Sequence, residues 1–134
     1  VLIEDCGEGG YDVIVLPGGI PGAEHLRDSE PLIALLHEQN EAGQLYAAIC
    51  ASPAVALLPH GLLENRHATC FPSYLSLLDE ADGVVASEDR VVVDGNLVTS
   101  RGPGTAIEFA LQLVERLFDD PEKAAAIGER MLVK

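Results

Sequence analysis

Positive charge is scarce in this chain. Eight lysines and arginines stand against 22 aspartates and glutamates in 134 residues, for a formal net charge of -14 at pH 7. Phosphate binding rests on lysine and arginine, so the balance argues against a nucleic-acid partner and disfavours an anionic membrane surface. The surplus acid reads as a solvated surface. Long apolar runs are also missing, none approaching the roughly 20 residues of a membrane-crossing helix. Cysteine is sparse and odd in number: Cys6, Cys50 and Cys70 lie far apart, with no Cys-x-x-Cys or Cys/His cluster. That spacing argues against structural zinc or another metal site, and against a disulfide scaffold. A reducing compartment is expected, the cytoplasm first and the chloroplast or another organelle as the alternative. The chain opens on Val1, without a methionine or a charged-then-apolar leader, so it is expected to be part of something longer.

What is present is concentrated in residues 46–55, Tyr-Ala-Ala-Ile-Cys-Ala-Ser-Pro-Ala-Val. A short apolar run ends at Cys50 and a helix-like segment starts directly behind it. Ala48 and Ser52, two residues to either side, are small. This is the steric pattern of a nucleophile elbow, where a sharp strand-to-helix turn holds a side chain up and leaves no room for bulky neighbours. A thiol there also faces the positive end of a helix.

Periodicity elsewhere alternates strands and helices in one domain, residues 1–134. Residues 11–17 form a nearly continuous apolar run closed by Gly18-Gly19, a pattern that predicts a buried parallel strand. Ser29 is placed to cap a helix with Pro31 in its first turn and a stripe of Leu32, Ile33, Leu35 and Leu36, ending near Gly43. Residues 45–49 predict a second strand, 51–60 a helix, and 67–70 a brief strand closed by Pro72. Residues 84–87 and 90–93 are expected to pair, and Asp94-Gly95-Asn96 is a hairpin turn into a strand at 97–100. Thr105 is placed to cap a helix with Ile107, Leu111, Val114 and Leu117 on one face, and a last helix runs from Pro121 to about Met131. No repeat, linker or low-complexity tract interrupts this order. It predicts a doubly wound α/β sandwich with its function at the carboxyl ends of the strands. Three loops fall there: residues 17–22, 50–52 and 101–105.

Gly18-Gly19-Ile-Pro-Gly22 lacks both the Gly-x-Gly-x-x-Gly order and the Gly-Lys-Ser/Thr of a phosphate loop. Its glycines are better suited to offer backbone N–H groups to an oxyanion at close approach. Residues 101–105 either bind an anion through Arg101 and a helix N-terminus or serve as a turn and cap. No histidine has the spacing of a base for Cys50. His60 falls at the far end of the following helix, about 15 Å away at 1.5 Å per residue. His25 and His37 read as helix-surface residues, and His67 starts the short strand, with the crevice as its alternative destination. Cys6 and Cys70 read as structural, and no triad is assembled.

Four stretches together carry a resemblance: Tyr11-Asp-Val-Ile-Val-Leu-Pro-Gly-Gly19, Ala47-Ala-Ile-Cys-Ala-Ser-Pro53, Ala68-Thr-Cys-Phe-Pro72, and Thr99-Ser-Arg-Gly-Pro-Gly-Thr-Ala-Ile-Glu-Phe-Ala110. In this order they resemble the DJ-1/PfpI family, a branch of the class I glutamine-amidotransferase-like superfamily, and within it the Parkinson's disease protein deglycases. The resemblance implies a flavodoxin-like sandwich that forms a homodimer and uses no cofactor. It places Cys50 on the family's reactive cysteine, and Gly19 and Ala51 on the positions whose backbone amides line the oxyanion pocket. It further implies a cysteine-dependent glyoxalase or deglycase acting on methylglyoxal-type 2-oxoaldehydes or their early adducts. The alternative it carries is a redox sensor or chaperone regulated by oxidation of Cys50.

The chain departs from that pattern in three places. The family pairs its cysteine with a protonated glutamate that follows the first strand, and only about ten residues precede the strand at Tyr11. Glu4, Glu8 and Glu24 do not match that motif. The domain is therefore expected to be N-terminally incomplete, weakly active as it stands, and open along an apolar edge where the first strand would lie. Tandem domains, frequent among plant-type members, offer one origin. Some members carry a histidine where this chain has Phe71. PfpI-type proteases carry one directly after the cysteine, where this chain has Ala51, which weakens a proteolytic reading.

Overall fold

A computed structural model describes residues 1–7 and 9–133, leaving Glu8 and Lys134 outside the described residues. In chain order the elements are β1 (Val13–Leu16), α1 (Gly22–Arg27), α2 (Glu30–Glu41), β2 (Leu45–Ile49) and β3 (Arg66–Ala68). They continue with α3 (Leu75–Asp79), β4 (Val84–Ala86), β5 (Val91–Asp94), β6 (Leu97–Ser100), α4 (Ala106–Phe118) and α5 (Pro121–Arg130). The main sheet has the order β1-β2-β6-β5, with β1, β2 and β6 parallel and β5 antiparallel at one edge. Helices cover both faces. α2 and the segment behind Cys50 pack on one, around Leu36, Tyr46, Ala48, Leu57 and Leu97, and α4 packs Phe109 and Leu113 on the other, against Leu45, Ala47 and Val98. This is the expected α/β, doubly wound, flavodoxin-like arrangement.

Local chemistry explains the elements that place the site. Ser29 caps α2 through its Oγ, which accepts from Leu32 N, and Pro31 sits in the first turn where its missing N–H costs nothing. Gln39, buried in the last turn of α2, donates to the carbonyls of Tyr11 (2.7 Å) and Leu45 (3.0 Å) and so ties the helix to β1 and β2. The turn at Gly95 and Asn96 closes β5 on β6, with Asp94 opposite Leu97. β1 pairs with β2 on one side and forms the end of the sheet, where Val15 is 41 % exposed.

Four expectations need correction. Residues 84–87 do not pair with 90–93: β4 pairs in parallel with β3 in a separate two-stranded sheet, because the tight hairpin commits β5 to β6. The segment behind Cys50 is not a plain α-helix. It runs as a π-helical turn (Pro53–Leu57) followed by a 3-10 turn (Leu58–His60), since Pro59 has no N–H for the regular i to i−4 ladder. On α4 the buried residues are Phe109 and Leu113, whereas Ile107 and Leu117 are exposed. That helix carries apolar residues on two sides, and the sheet takes the side bearing the aromatic ring. Thr105 makes no side-chain cap to α4 and turns its hydroxyl back into the preceding loop.

Candidate active site

Cys50 stands where β2 breaks, with φ 66°, a left-handed conformation uncommon for a residue with a side chain. Strain of this kind persists only where the surroundings over-determine it. Here the Cys50 N–H donates to Ser100 O at 3.0 Å, and Cys50 O accepts from Phe71 N at 2.7 Å. The end of β6 and the stretch after β3 thus hold the bend from both sides. Ala48 and Ser52 are fully buried, as the elbow pattern requires. The tightest neighbour is in another loop: a Cβ built on Gly18 would lie 2.5 Å from Cys50 Cβ and 3.2 Å from Sγ. Only glycine fits beneath the thiol.

Gly19 follows at φ 90°, a conformation that glycine adopts without penalty. Its carbonyl accepts from Ala23 N at 2.8 Å as α1 begins. Among the described residues, the N–H groups of Gly19 and Ala51 donate to no protein acceptor. The side chain of Ala51 is buried, 2 % exposed, and Cys50 is half-buried. The loops at 17–22 and 50–52 therefore meet at the thiol, and the strand leading into the third is bonded to the Cys50 backbone.

That third loop is occupied with itself. Thr105 Oγ1 accepts from the N–H groups of Arg101 (3.2 Å) and Gly102 (3.1 Å) and shares a 2.7 Å bond with Ser100 Oγ. The Arg101 guanidinium donates to the carbonyls of Cys70 (3.3 Å) and Glu88 (3.2 Å). Of the two readings for residues 101–105, the turn is the one built here, with Arg101 bracing two neighbouring segments.

Cys70 is completely buried. Burial pushes its thiol up to about 11, against the pull of Arg101 and with a further push from Cys50. A thiol in that state is a poor nucleophile, in keeping with a structural role. Cys6 lies in the N-terminal segment, its Sγ 3.5 Å from Leu2 O. Phe71 is partly exposed and packs beside Gly102, where an added Cβ would lie 3.4 Å from its ring.

The histidines lie elsewhere. His60 bonds Arg27 O through Nε2 at 2.7 Å, and His25 and His37 are exposed on α1 and α2. His67 is exposed too, its backbone N–H held by Asp94 beside the hairpin at the far end of the sheet. Among the described residues, the Cys50 thiol makes no hydrogen bond and no three His, Cys, Asp or Glu side chains cluster as a metal site. Glu4 lies in the N-terminal segment and Glu24 on α1, and Glu8 is outside the described residues. Two contributors escaped the sequence reading. Gly18 counted only as one of a glycine pair and Ser52 only as a small residue, and no spacing rule signals that either touches the other loop.

Comparison with known proteins followed the same lines. The DJ-1/PfpI family model matches residues 1–116. Protein DJ-1 homolog B of Arabidopsis thaliana is 47 % identical over 133 residues, 99 % of this chain and 30 % of that protein. A glutathione-independent glyoxalase of Caenorhabditis elegans is 39 % identical over 127 residues, 95 % of this chain and 66 % of that one. The solved structure of oxidized Toxoplasma gondii DJ-1 superimposes with a TM-score of 0.85 at 47 % identity, covering 92 % of this chain and 65 % of that chain. The chain thus spans from about a third to about two thirds of the length of the curated relatives it matches.

Proposed function

The chain belongs to the DJ-1/PfpI family, and on that premise we propose that it carries the nucleophile of a cysteine-dependent glyoxalase or deglycase. The substrates are methylglyoxal-type 2-oxoaldehydes or their early adducts. The observation that supports this reading is the elbow itself. Cys50 is half-buried at a left-handed φ, with a glycine loop packed against its side chain and the Gly19 and Ala51 N–H groups free of protein acceptors among the described residues.

In the proposed reaction the Cys50 thiolate adds to the aldehyde carbon, forming a C–S bond and an oxyanion that the two N–H groups stabilise. Protonation of that oxygen gives a hemithioacetal. The C1 proton then moves to C2 through an enediolate, which oxidises C1 and reduces C2 and leaves a thioester. Water cleaves the thioester, releases the 2-hydroxy acid and restores the thiol, so that the net change is the addition of one water. The proton transfers call for a carboxyl group, a contribution typically of about 10²–10⁴-fold. The family resemblance assigns it to a glutamate outside the four matched motifs, so the test uses the full-length protein.

Incubation with methylglyoxal should yield the 2-hydroxy acid without glutathione, and Cys50→Ser should abolish that turnover. Full activity in the variant would refute the reading. A second reading, redox sensing at Cys50, draws on the partial exposure of the thiol and on a relative solved in an oxidized form. Peroxide oxidation confined to Cys50 in a protein without aldehyde turnover would favour it.

A further inference from the structure

Ser52 is fully buried, yet its hydroxyl reaches out of the elbow to the neighbouring loop. Its Oγ donates a 2.5 Å hydrogen bond to the carbonyl of Pro17, 35 residues away in the chain. The bond fixes the peptide plane between Pro17 and Gly18. Gly18 is pressed against the cysteine, with no room for a Cβ. On the other side of Gly19, its own carbonyl is held by Ala23 N at 2.8 Å. The peptide group that carries the Gly19 N–H is therefore suspended between two anchored ones. Glycine has no side chain to limit its φ, so those anchors alone decide where the N–H points.

We infer that Ser52 is a positioning residue, which aims the Gly19 N–H at the oxygen of a substrate bound to Cys50 by holding the Pro17 carbonyl. The inference rests on the glyoxalase reading of Cys50. Ser52 acts through the loop and bonds neither the thiol nor the oxyanion. Its effect comes from geometry: an oxyanion donor contributes only where the charge develops, and deleting one outright typically costs about 10²–10³ in kcat. Without the hydroxyl the donor remains but its aim loosens. The bond is a single contact between two loops, and the rest of the elbow is held by the Cys50 backbone bonds to Ser100 and Phe71, so the fold is expected to survive the change.

The test uses Ser52→Ala and Ser52→Gly in the full-length protein, beside Cys50→Ser. Both Ser52 variants should lose about tenfold in kcat with methylglyoxal and keep KM within about twofold, the split expected when a transition-state contact alone is weakened. Carbamidomethylation of Cys50 by iodoacetamide should proceed at the wild-type rate, since the elbow is untouched. An unchanged kcat in both variants overturns the proposal. So does a parallel loss of alkylation rate or of the fold, which would make the hydroxyl a support for the elbow itself. Turnover surviving in Cys50→Ser defeats the glyoxalase reading. Turnover that needs Cys50 but ignores Ser52 defeats the positioning role alone.

Discussion

The two ends of the main sheet are built on opposite terms. At the carboxyl end, the chain bends through a left-handed cysteine, two loops pack at van der Waals limits, and the Gly19 and Ala51 N–H groups are left without protein partners among the described residues. At the amino end, polar side chains are bonded to one another. Arg66 donates to Asp94 O (2.8 Å), Asn40 Oδ1 (3.1 Å) and Asn96 Oδ1 (2.7 Å), and Asn96 Nδ2 reaches Gln44 O at 2.9 Å. That network joins α2, β3 and the β5–β6 hairpin. The difference separates two environments: polar groups that satisfy each other, which favours stability, and polar groups held ready and unsatisfied, which the proposed reaction would use.

The contrast can be broken most forcefully at Gly18. Gly18→Ala places a methyl 2.5 Å from Cys50 Cβ and 3.0 Å from Ile49 O, so the loop or the cysteine must move. Turnover should fall at least about 100-fold, because misplacement on the ångström scale costs that much. Overpacking adds a stability loss of about 1–3 kcal/mol. Kinetics and a urea midpoint on the same preparation read both, and a near-wild-type kcat would show that the loop does not constrain the thiol.

Arg66→Ala should act in the reverse sense. It removes the donor to Asp94 O, Asn40 Oδ1 and Asn96 Oδ1 at the amino end and should cost about 1.5–3 kcal/mol, the range for hydrogen bonds to charged groups. The kcat per folded molecule should hold. A loss of kcat at unchanged stability would mean that the two ends are coupled after all.

The smallest expected effect is alkaline. Cys70 ionises near pH 9 in an unfolded chain, whereas burial raises its thiol to about 11 in the fold. The unfolded state therefore binds fewer protons between those values. Stability from this group is complete below about pH 9 and is lost as pH rises toward 11. The burial-raised Tyr46 adds to the same trend. A urea midpoint followed from pH 8 to 10.5 should fall more steeply in wild type than in Cys70→Ala, and identical slopes would remove Cys70 from the account.

Much of the sheet was legible because its strands are short apolar runs ended by strong breakers. Leu45–Ile49 stops at the small-residue elbow and Leu97–Ser100 follows a two-residue turn, signals that act over a few residues. The helix at Ser29 was legible for the same reason, since cap and proline are local chemistry. Partner choice was not. Whether β4 joins β5 or β3, and whether Ile107 or Phe109 faces the sheet, depends on what else competes for the same surface. At the site, Cys50, Gly19 and Ala51 were named from pattern and resemblance. The contact of Gly18 with the thiol and the bond from Ser52 to Pro17 link residues about 35 apart, beyond the reach of any local rule.

By itself, then, the sequence determined the α/β alternation, the elbow and the family, because each is written in neighbouring residues or in ordered motifs. The tertiary structure decided which residues lock the elbow to the glycine loop, that Arg101 braces the Cys70 and Glu88 carbonyls, and that Cys70 is sealed from solvent. These are outcomes of packing: the close approach of two loops, the competition for carbonyls and the exclusion of water exist only when distant parts of the chain share a few ångströms of space.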